Sequence, residues 1–188
     1  GMEFATAAFH NSYYFHKDDN VITNKEEVCG DFEKLINLQL KEKHPKSWMR
    51  AFFNMGLINY IEGSRRMLPC QAGEMNFFVE PYGDIYPCNG LEKKYWKKSM
   101  GNIRETPNFK EIWEGEQAEQ VRQMVRRCPK NCWMVGTASP VMHKYIKYPL
   151  KWALKNKLRS LQGKAACLDK CWYNVGQDPS QGDLRDVF

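Results

Sequence analysis

Hydrophobic residues recur at helical spacing in two neighbouring stretches near the start of the chain. An apolar stripe follows the capping-box threonine Thr23, and it predicts a helix over about 25–43. Pro45 suits the first position of a second helix, which should end at Gly63, because glycine readily adopts the left-handed conformation that follows a helix. The aromatic run 3–16 lacks a helical period and predicts a strand.

The pattern changes at Cys70, where apolar runs become shorter and turn residues more frequent. The apolar segments 75–79 and 85–86 flank a Pro and Gly-containing turn, so they predict a β-hairpin. Gly101 and Asn102 predict another turn. Helical periodicity then returns over 108–127, with Asn108 as its N-cap and Gly115 as a possible break.

The segment after Ser139 and Pro140 predicts an amphipathic helix that Pro149 should kink or restart. One face is expected to pack in the core and is apolar: Ile146, Leu150, Ala153, Leu154, Leu158 and Leu161. Another face is basic, and it includes Lys144, Lys147, Lys151, Lys155 and Arg159. Together these predictions indicate an α+β protein with short β-structure and flanking helices.

Composition narrows the functional classes. Hydrophobic residues make up 43% of the 188-residue chain and its mean hydropathy is −0.65, values that indicate a packed globular protein. We expect no transmembrane segment, since no apolar run approaches about 18 residues, and the absence of a signal-peptide pattern favours a cytoplasmic protein. The net charge of +6 is concentrated in 141–164, which holds seven basic and no acidic residues. Nucleic-acid binding is not expected, because such domains are usually more basic throughout.

Seven cysteines are the most informative feature of the composition. Their odd number prevents complete disulfide pairing, and clustered cysteines in a reducing compartment are more often metal ligands. Cys70 and Cys88 bracket the predicted hairpin, while Cys128 and Cys132 lie in a turn after a helix. Two such pairs could form a four-thiolate site. The spacing of the cysteines is compatible with zinc and with an iron-sulfur cluster. Cys29 is expected to be a packed thiol inside its helix.

The residues around these cysteines carry a family resemblance. Twelve residues separate Cys70 from Gly83 and four more precede Cys88, and Gly-Asn-Ile at 101–103 and Phe-Lys-Glu-Ile-Trp at 109–113 follow before the second cysteine pair. This arrangement resembles the SPASM domain, or its shorter twitch form, of radical SAM enzymes. The resemblance implies an auxiliary 4Fe-4S cluster. Its implied ligands are Cys70, Cys88, Cys128 and Cys132.

The resemblance also implies a domain organisation. Residues 1–66 would be a strand-helix-helix remnant of a radical SAM (β/α) barrel, 67–138 the auxiliary-cluster domain, and 139–188 the basic helix with a C-terminal tail. The rest of the barrel would be the partner of this chain, and a peptide, sugar or small molecule its substrate. S-adenosylmethionine would bind only in the full-length parent, because its cluster requires a C-x-x-x-C-x-x-C motif. Both cysteine pairs of this sequence lack the third cysteine, whose place is taken by Val135 and by Asn174. The fragment alone is not expected to be active.

Two alternatives stay open. Cys167 and Cys171 repeat the Cys-x-x-x-Cys-Trp spacing of Cys128 and Cys132, so they are additional candidate ligands. The four-cysteine site could instead hold structural zinc in a module that mediates protein contacts. The implied function is therefore an auxiliary cluster that supports electron transfer or substrate positioning, with the zinc module as the alternative. A third class is a surface binder that acts through the basic helix, with a metal site that only stabilises the fold.

Overall fold

The computed structural model describes residues 5–12, 16–17, 19–90 and 98–169, which form two compact units. The first unit contains the described residues of 5–9, 21–69 and 131–169, and the second those of 10–20 and 70–130. The α+β class is as predicted, with six helices and one three-stranded antiparallel sheet in the described residues. None of the helices within these ranges has the length and apolar character needed to cross a membrane.

The helices are α1 (Lys25–Lys41), α2 (Pro45–Ile61), α3 (Phe109–Glu114), α4 (Glu116–Arg126), α5 (Val135–Lys144) and α6 (Lys147–Leu161). The strands are β1 (Phe78–Val79), β2 (Asp84–Tyr86) and β3 (Gly101–Asn102).

The first unit is helical, and α2 is its central element. This helix packs against α1 and α6, and nine of its seventeen residues are buried. The ring of Phe52 in α2 meets that of Trp152 in α6 edge to face, with centroids 5.6 Å apart. Both predicted helices are therefore confirmed, and Gly63 has the expected left-handed backbone, with φ of 74°. The capping box is corrected, since Asn24 rather than Thr23 is the N-cap of α1.

The predicted N-terminal strand is not observed. Residues 5–11 have no strand or helix, and the described part of the run 3–16 contains a single bridge, between Ser12 and Lys17. The remaining positions of this run lie outside the described residues. Aromatic composition suits a strand, but a strand forms only where a neighbouring strand accepts its backbone hydrogen bonds. Of the predicted strand-helix-helix unit only the two helices are observed, and its assignment to a barrel stays a prediction.

The second unit contains the sheet, in the order β1-β2-β3. The predicted hairpin is confirmed, with Val79 opposite Ile85 and the turn closed at Gly83, whose φ is 96°. The turn predicted at Gly101 and Asn102 is displaced, because Gly101 pairs with Ile85 as part of β3 and the chain turns only after Asn102, whose carbonyl accepts from the Glu105 N–H. A Cβ at Gly101 would lie 2.6 Å from Cγ2 of Ile112, so glycine lets α3 pack directly on the strand. The small core of this unit consists of Ile85, Met100, Ile112, Ala118 and Val121.

The helical segment 108–127 is confirmed together with its break. The Asn108 side chain accepts a hydrogen bond from the Lys110 backbone N–H at the start of α3. Gly115 has extended backbone between α3 and α4, which lets the second helix begin in a new direction.

The last two helices differ from the prediction at their start and in their buried face. Helix α5 begins at Val135 and contains Pro140, whereas Ser139 was expected to start it. The restart expected from Pro149 is confirmed, because α6 begins at Lys147. The buried residues of α6 are Pro149, Trp152, Ala153 and Asn156. The leucines that were expected to pack in the core are instead exposed: Leu150, Leu154, Leu158 and Leu161.

Candidate metal centre

Cys70 and Cys88 lie on two chain segments that contact each other inside the second unit. The loop after Cys70 turns sharply, and the Asn76 side chain donates to the Pro87 carbonyl at 2.9 Å. Gly73 lies against the same proline: a Cβ at this position, where φ is 79°, would be 2.9 Å from the Pro87 Cβ. These contacts join the loop that follows Cys70 to the residue that precedes Cys88. Both cysteines are partly buried.

Helix α4 joins the third cysteine to the same loop. Its Arg122 donates to the Gly73 carbonyl at 2.8 Å and to the Trp113 carbonyl at 2.5 Å, and its guanidinium lies over the Trp113 ring. One turn later Arg126 pairs with Glu74 at 3.2 Å. The chain then leaves α4, and the Cys128 N–H donates to the Val125 carbonyl at 3.0 Å. The contacts of Arg122 and Arg126 therefore hold the end of α4 against the loop that follows Cys70, and Cys128 comes directly after this helix end.

Cys132, the fourth predicted ligand, belongs to the first unit and is anchored there by Arg66. The Arg66 guanidinium donates to the carbonyls of Cys132, Leu68 and Thr137, the last at 3.0 Å, and it stacks 5.1 Å from the Trp133 ring centre. Arg66 is only 5% exposed, and no carboxylate of the described residues pairs with it. The three carbonyl acceptors and the indole ring compensate the burial of this cation, so Arg66 fixes the backbone on both sides of Trp133.

The neighbours of Cys132 are fixed as firmly as Cys132 itself. The Asn131 side chain donates to the carbonyls of Tyr60 and Ser64, at 3.2 Å and 2.8 Å. The Trp133 indole N–H donates to the Phe53 carbonyl at 2.8 Å, and its ring lies where a Cβ on Gly56 would be, 2.1 Å away. The backbone that carries Cys132 is thus held against the second half of α2.

Tyr60 lies beside this segment and responds to it electrostatically. Burial, followed by the negative charge of a Cys132 thiolate, raises the pKa of Tyr60 to about 12. The phenol therefore keeps its proton, which it donates to the Phe9 carbonyl at 2.8 Å.

The remaining cysteines are less suited to the same site. Cys29 is buried in α1, as predicted, within the core of the first unit. Cys167 follows α6, where its thiol donates to the Asp169 carboxylate at 2.6 Å and its N–H to the Asn156 side chain at 2.6 Å. Cys171 lies outside the described residues. The described structure therefore does not test whether Cys167 and Cys171 form a second half-site.

The four predicted cysteine ligands suit a soft metal, although the described structure does not bring them together into one site. Six cysteines are described and none of these forms a disulfide. Within the described ranges, no three His, Cys, Asp or Glu side chains form a group that could hold a metal ion. Four thiolates from separate segments suit zinc or an iron-sulfur cluster, and metal binding commonly completes the folding of such sites. The four-cysteine cage stays a prediction.

A comparison with known protein families decides what this segment is. Residues 70–134 match the family model described as "SPASM: Iron-sulfur cluster-binding domain". This segment is a SPASM domain. The match begins at Cys70 and includes Cys88, Cys128 and Cys132, and domains of this family bind iron-sulfur clusters, generally within larger radical SAM enzymes. No curated protein and no solved structure matches the chain.

The sequence did not reveal the residues that support these cysteines. Arg66, Asn76 and Arg122 act on backbone carbonyls of other segments. Neither the two residues outside the helices nor Arg122 in α4 has a sequence pattern that marks such a role. Gly73 gave a weak signal, because a glycine three residues after a candidate ligand often marks a tight turn. The indole of Trp133 could only be assigned once its contact with Gly56 was known.

Proposed function

We propose that the SPASM domain holds an auxiliary 4Fe-4S cluster through Cys70, Cys88, Cys128 and Cys132, as part of a radical SAM enzyme. The observation that carries the proposal is the family match, whose limits enclose all four cysteines. The contacts within the second unit add support, because they join the segments of three of these ligands. The bound cluster would supply one-electron chemistry or a structural link.

The chain's own residues would stabilise a thiolate centre in two ways. The contacts of Asn76, Arg122 and Arg126 restrain the segments of the three ligands in the second unit, which lowers the entropy lost when the thiolates bind. The buried guanidinium of Arg66 donates to the Cys132 carbonyl and so fixes the backbone that carries this ligand. If all four ligands come from the protein, no coordination position remains for substrate. We therefore favour electron transfer or a structural role over direct substrate binding.

The parent enzyme would supply the remaining parts of the reaction. This sequence contains no C-x-x-x-C-x-x-C motif, so it cannot hold the cluster that cleaves S-adenosylmethionine. We propose that residues 1–66 belong to the barrel that carries this motif, and that the substrate is a peptide, a sugar or a small metabolite. We also propose that the enzyme is cytoplasmic, since a reducing compartment preserves thiolate ligands.

A structural zinc site is the second candidate, because the same four thiolates also suit tetrahedral zinc. The two candidates differ in what the protein takes up without oxygen. Reconstitution of the full chain with iron and sulfide should give a brown protein with about four irons per chain. Tight zinc after isolation from its native source, together with failure to take up iron, would establish the zinc alternative.

Cysteine variants test the assignment of ligands. Cys88→Ala and Cys132→Ala should each abolish most of the iron uptake, because loss of one of four thiolates leaves the cage open. Cys29→Ala is the matched control, since this thiol lies in the core of the first unit, and it should keep the full iron content. Full uptake by both Cys88→Ala and Cys132→Ala would refute the ligand assignment. Cys171→Ala should leave most of the iron in place.

A further inference from the structure

Helix α6 has two apolar faces, and the first unit buries only one of them. Pro149, Trp152 and Ala153 point into the core. The other face is exposed over its whole length, from 44% for Ile146 to 71% for Leu161. We call this set the leucine stripe; its members are Ile146, Leu150, Leu154, Leu158 and Leu161.

The leucine stripe is regular. Its members are spaced by four residues until the last step of three, so they form one row along the helix. A helix of this length extends about 22 Å at 1.5 Å per residue. The stripe is therefore a continuous apolar ridge rather than a set of scattered exposed side chains.

A row of lysines follows one edge of the stripe. Lys147, Lys151 and Lys155 each come one residue after a member of the stripe, which places them about 100° further round the helix. All three side chains are exposed, as is that of Lys144 at the end of α5. The segment 141–164 contains no acidic residue, and the Lys155 ammonium also lies 3.8 Å from the Cys167 thiol. We call these four lysines the basic flank.

The combination matches the surface of an anionic lipid bilayer better than that of a protein. A helix that lies in the membrane interface inserts aliphatic side chains, while lysines beside them reach back to the phosphate groups. A standard protein interface buries about 800 Å² on each partner, usually with aromatic anchors, and five aliphatic side chains of one helix offer a narrow strip by comparison.

We propose that α6 is a peripheral membrane-binding element, which lies parallel to an anionic bilayer with the leucine stripe inserted and the basic flank on the headgroups. This role is independent of the metal centre. It needs only the helix as it is folded in the first unit.

Sedimentation with vesicles tests the proposal on the full chain. The protein should sediment with vesicles of equimolar phosphatidylcholine and phosphatidylserine, and much less with phosphatidylcholine alone. Replacement of Lys144, Lys147 and Lys151 by Gln should weaken binding about a hundredfold, because each lysine near an anionic surface contributes about fivefold. Replacement of Leu150, Leu154 and Leu158 by Gln should weaken it at least about tenfold.

Matched variants separate a specific surface from general charge. Replacement of the exposed lysines Lys25, Lys34 and Lys110 by Gln removes the same charge elsewhere, and Leu38→Gln removes a leucine that is 60% exposed on α1. Both controls should bind anionic vesicles nearly as well as the natural protein. Equal loss in the control lysine variant would overturn the proposal. So would a failure to bind anionic vesicles combined with a dimer that the leucine variant abolishes, since the stripe would then bind a second copy.

Discussion

The two units of this protein differ in how much apolar structure holds them. The first unit has a core of seventeen buried residues that includes Phe52, Trp133 and Trp152, supplied mainly by packed helices. The second unit has five buried core residues beneath strands of two and three residues. It also carries three of the four predicted ligands, Cys70, Cys88 and Cys128.

This difference indicates where a metal would matter for folding. A small core contributes little free energy against the loss of chain entropy, so small domains are commonly stabilised by metals or disulfides. The hydrogen bonds of Arg122 and Asn76 order the ligand segments of the second unit but bury little apolar surface. We therefore expect the second unit to depend on its metal, and the first to fold largely without it.

Metal removal should produce the largest effect. In the protein without metal, amide hydrogens of β1, β2 and α4 should exchange far faster than in the reconstituted protein, because binding of a metal contributes directly to folding. Amides of α1 and α2 should change little. Hydrogen exchange measured by mass spectrometry on both forms checks this, and equal protection of the second unit with and without metal would contradict the comparison.

Trp133→Ala should have the next largest effect, and on the first unit. It removes a ring that is 1% exposed, its hydrogen bond to Phe53 and the stacking of Arg66, at a cost of about 3–5 kcal/mol. Trp113→Ala is the matched change in the second unit, where the ring is only partly buried and the loss should be smaller. Denaturant unfolding of each variant measures the two losses. An equal or greater loss from Trp113→Ala would weaken the contrast between the cores.

Gly101→Ala should give the smallest of these effects. It combines a φ of 147° with a Cβ placed 2.6 Å from Ile112, which should cost about 1–3 kcal/mol in the second unit. Gly30→Ala is its control, because nothing lies within 4 Å of a Cβ in the middle of α1, and alanine should stabilise that helix by about 0.5–1 kcal/mol. Thermal unfolding should therefore shift in opposite directions. A neutral Gly101→Ala would contradict the proposed close packing of α3 on β3.

Local signals in the sequence predicted most of the elements. Periodicity located α1 and α2, and turn residues located the hairpin and the break at Gly115. The signals failed where tertiary contacts decide the outcome. Gly101 has the composition of a turn but pairs as a strand, and the aromatic run 3–16 lacks strand pairing in its described part.

Helix α6 shows that an apolar face predicted from periodicity is not necessarily the buried face. Periodicity placed its leucines on one side, but the first unit instead buries the face with Trp152 and Asn156, whose side chain donates to the Trp152 carbonyl. The candidate site was predictable for a different reason. Cysteine spacing located the ligand candidates and carried the family resemblance, whereas the role of Arg66 became visible only through its contacts with the distant carbonyls of Cys132 and Thr137.

Native mass spectrometry of the anaerobically isolated full chain tests the central claim most directly. We predict one population whose mass exceeds that of the polypeptide by a single 4Fe-4S cluster, and the loss of that increment in Cys88→Ala but not in Cys29→Ala. A mass increment of one zinc ion, or a cluster that persists in Cys88→Ala, would contradict the account.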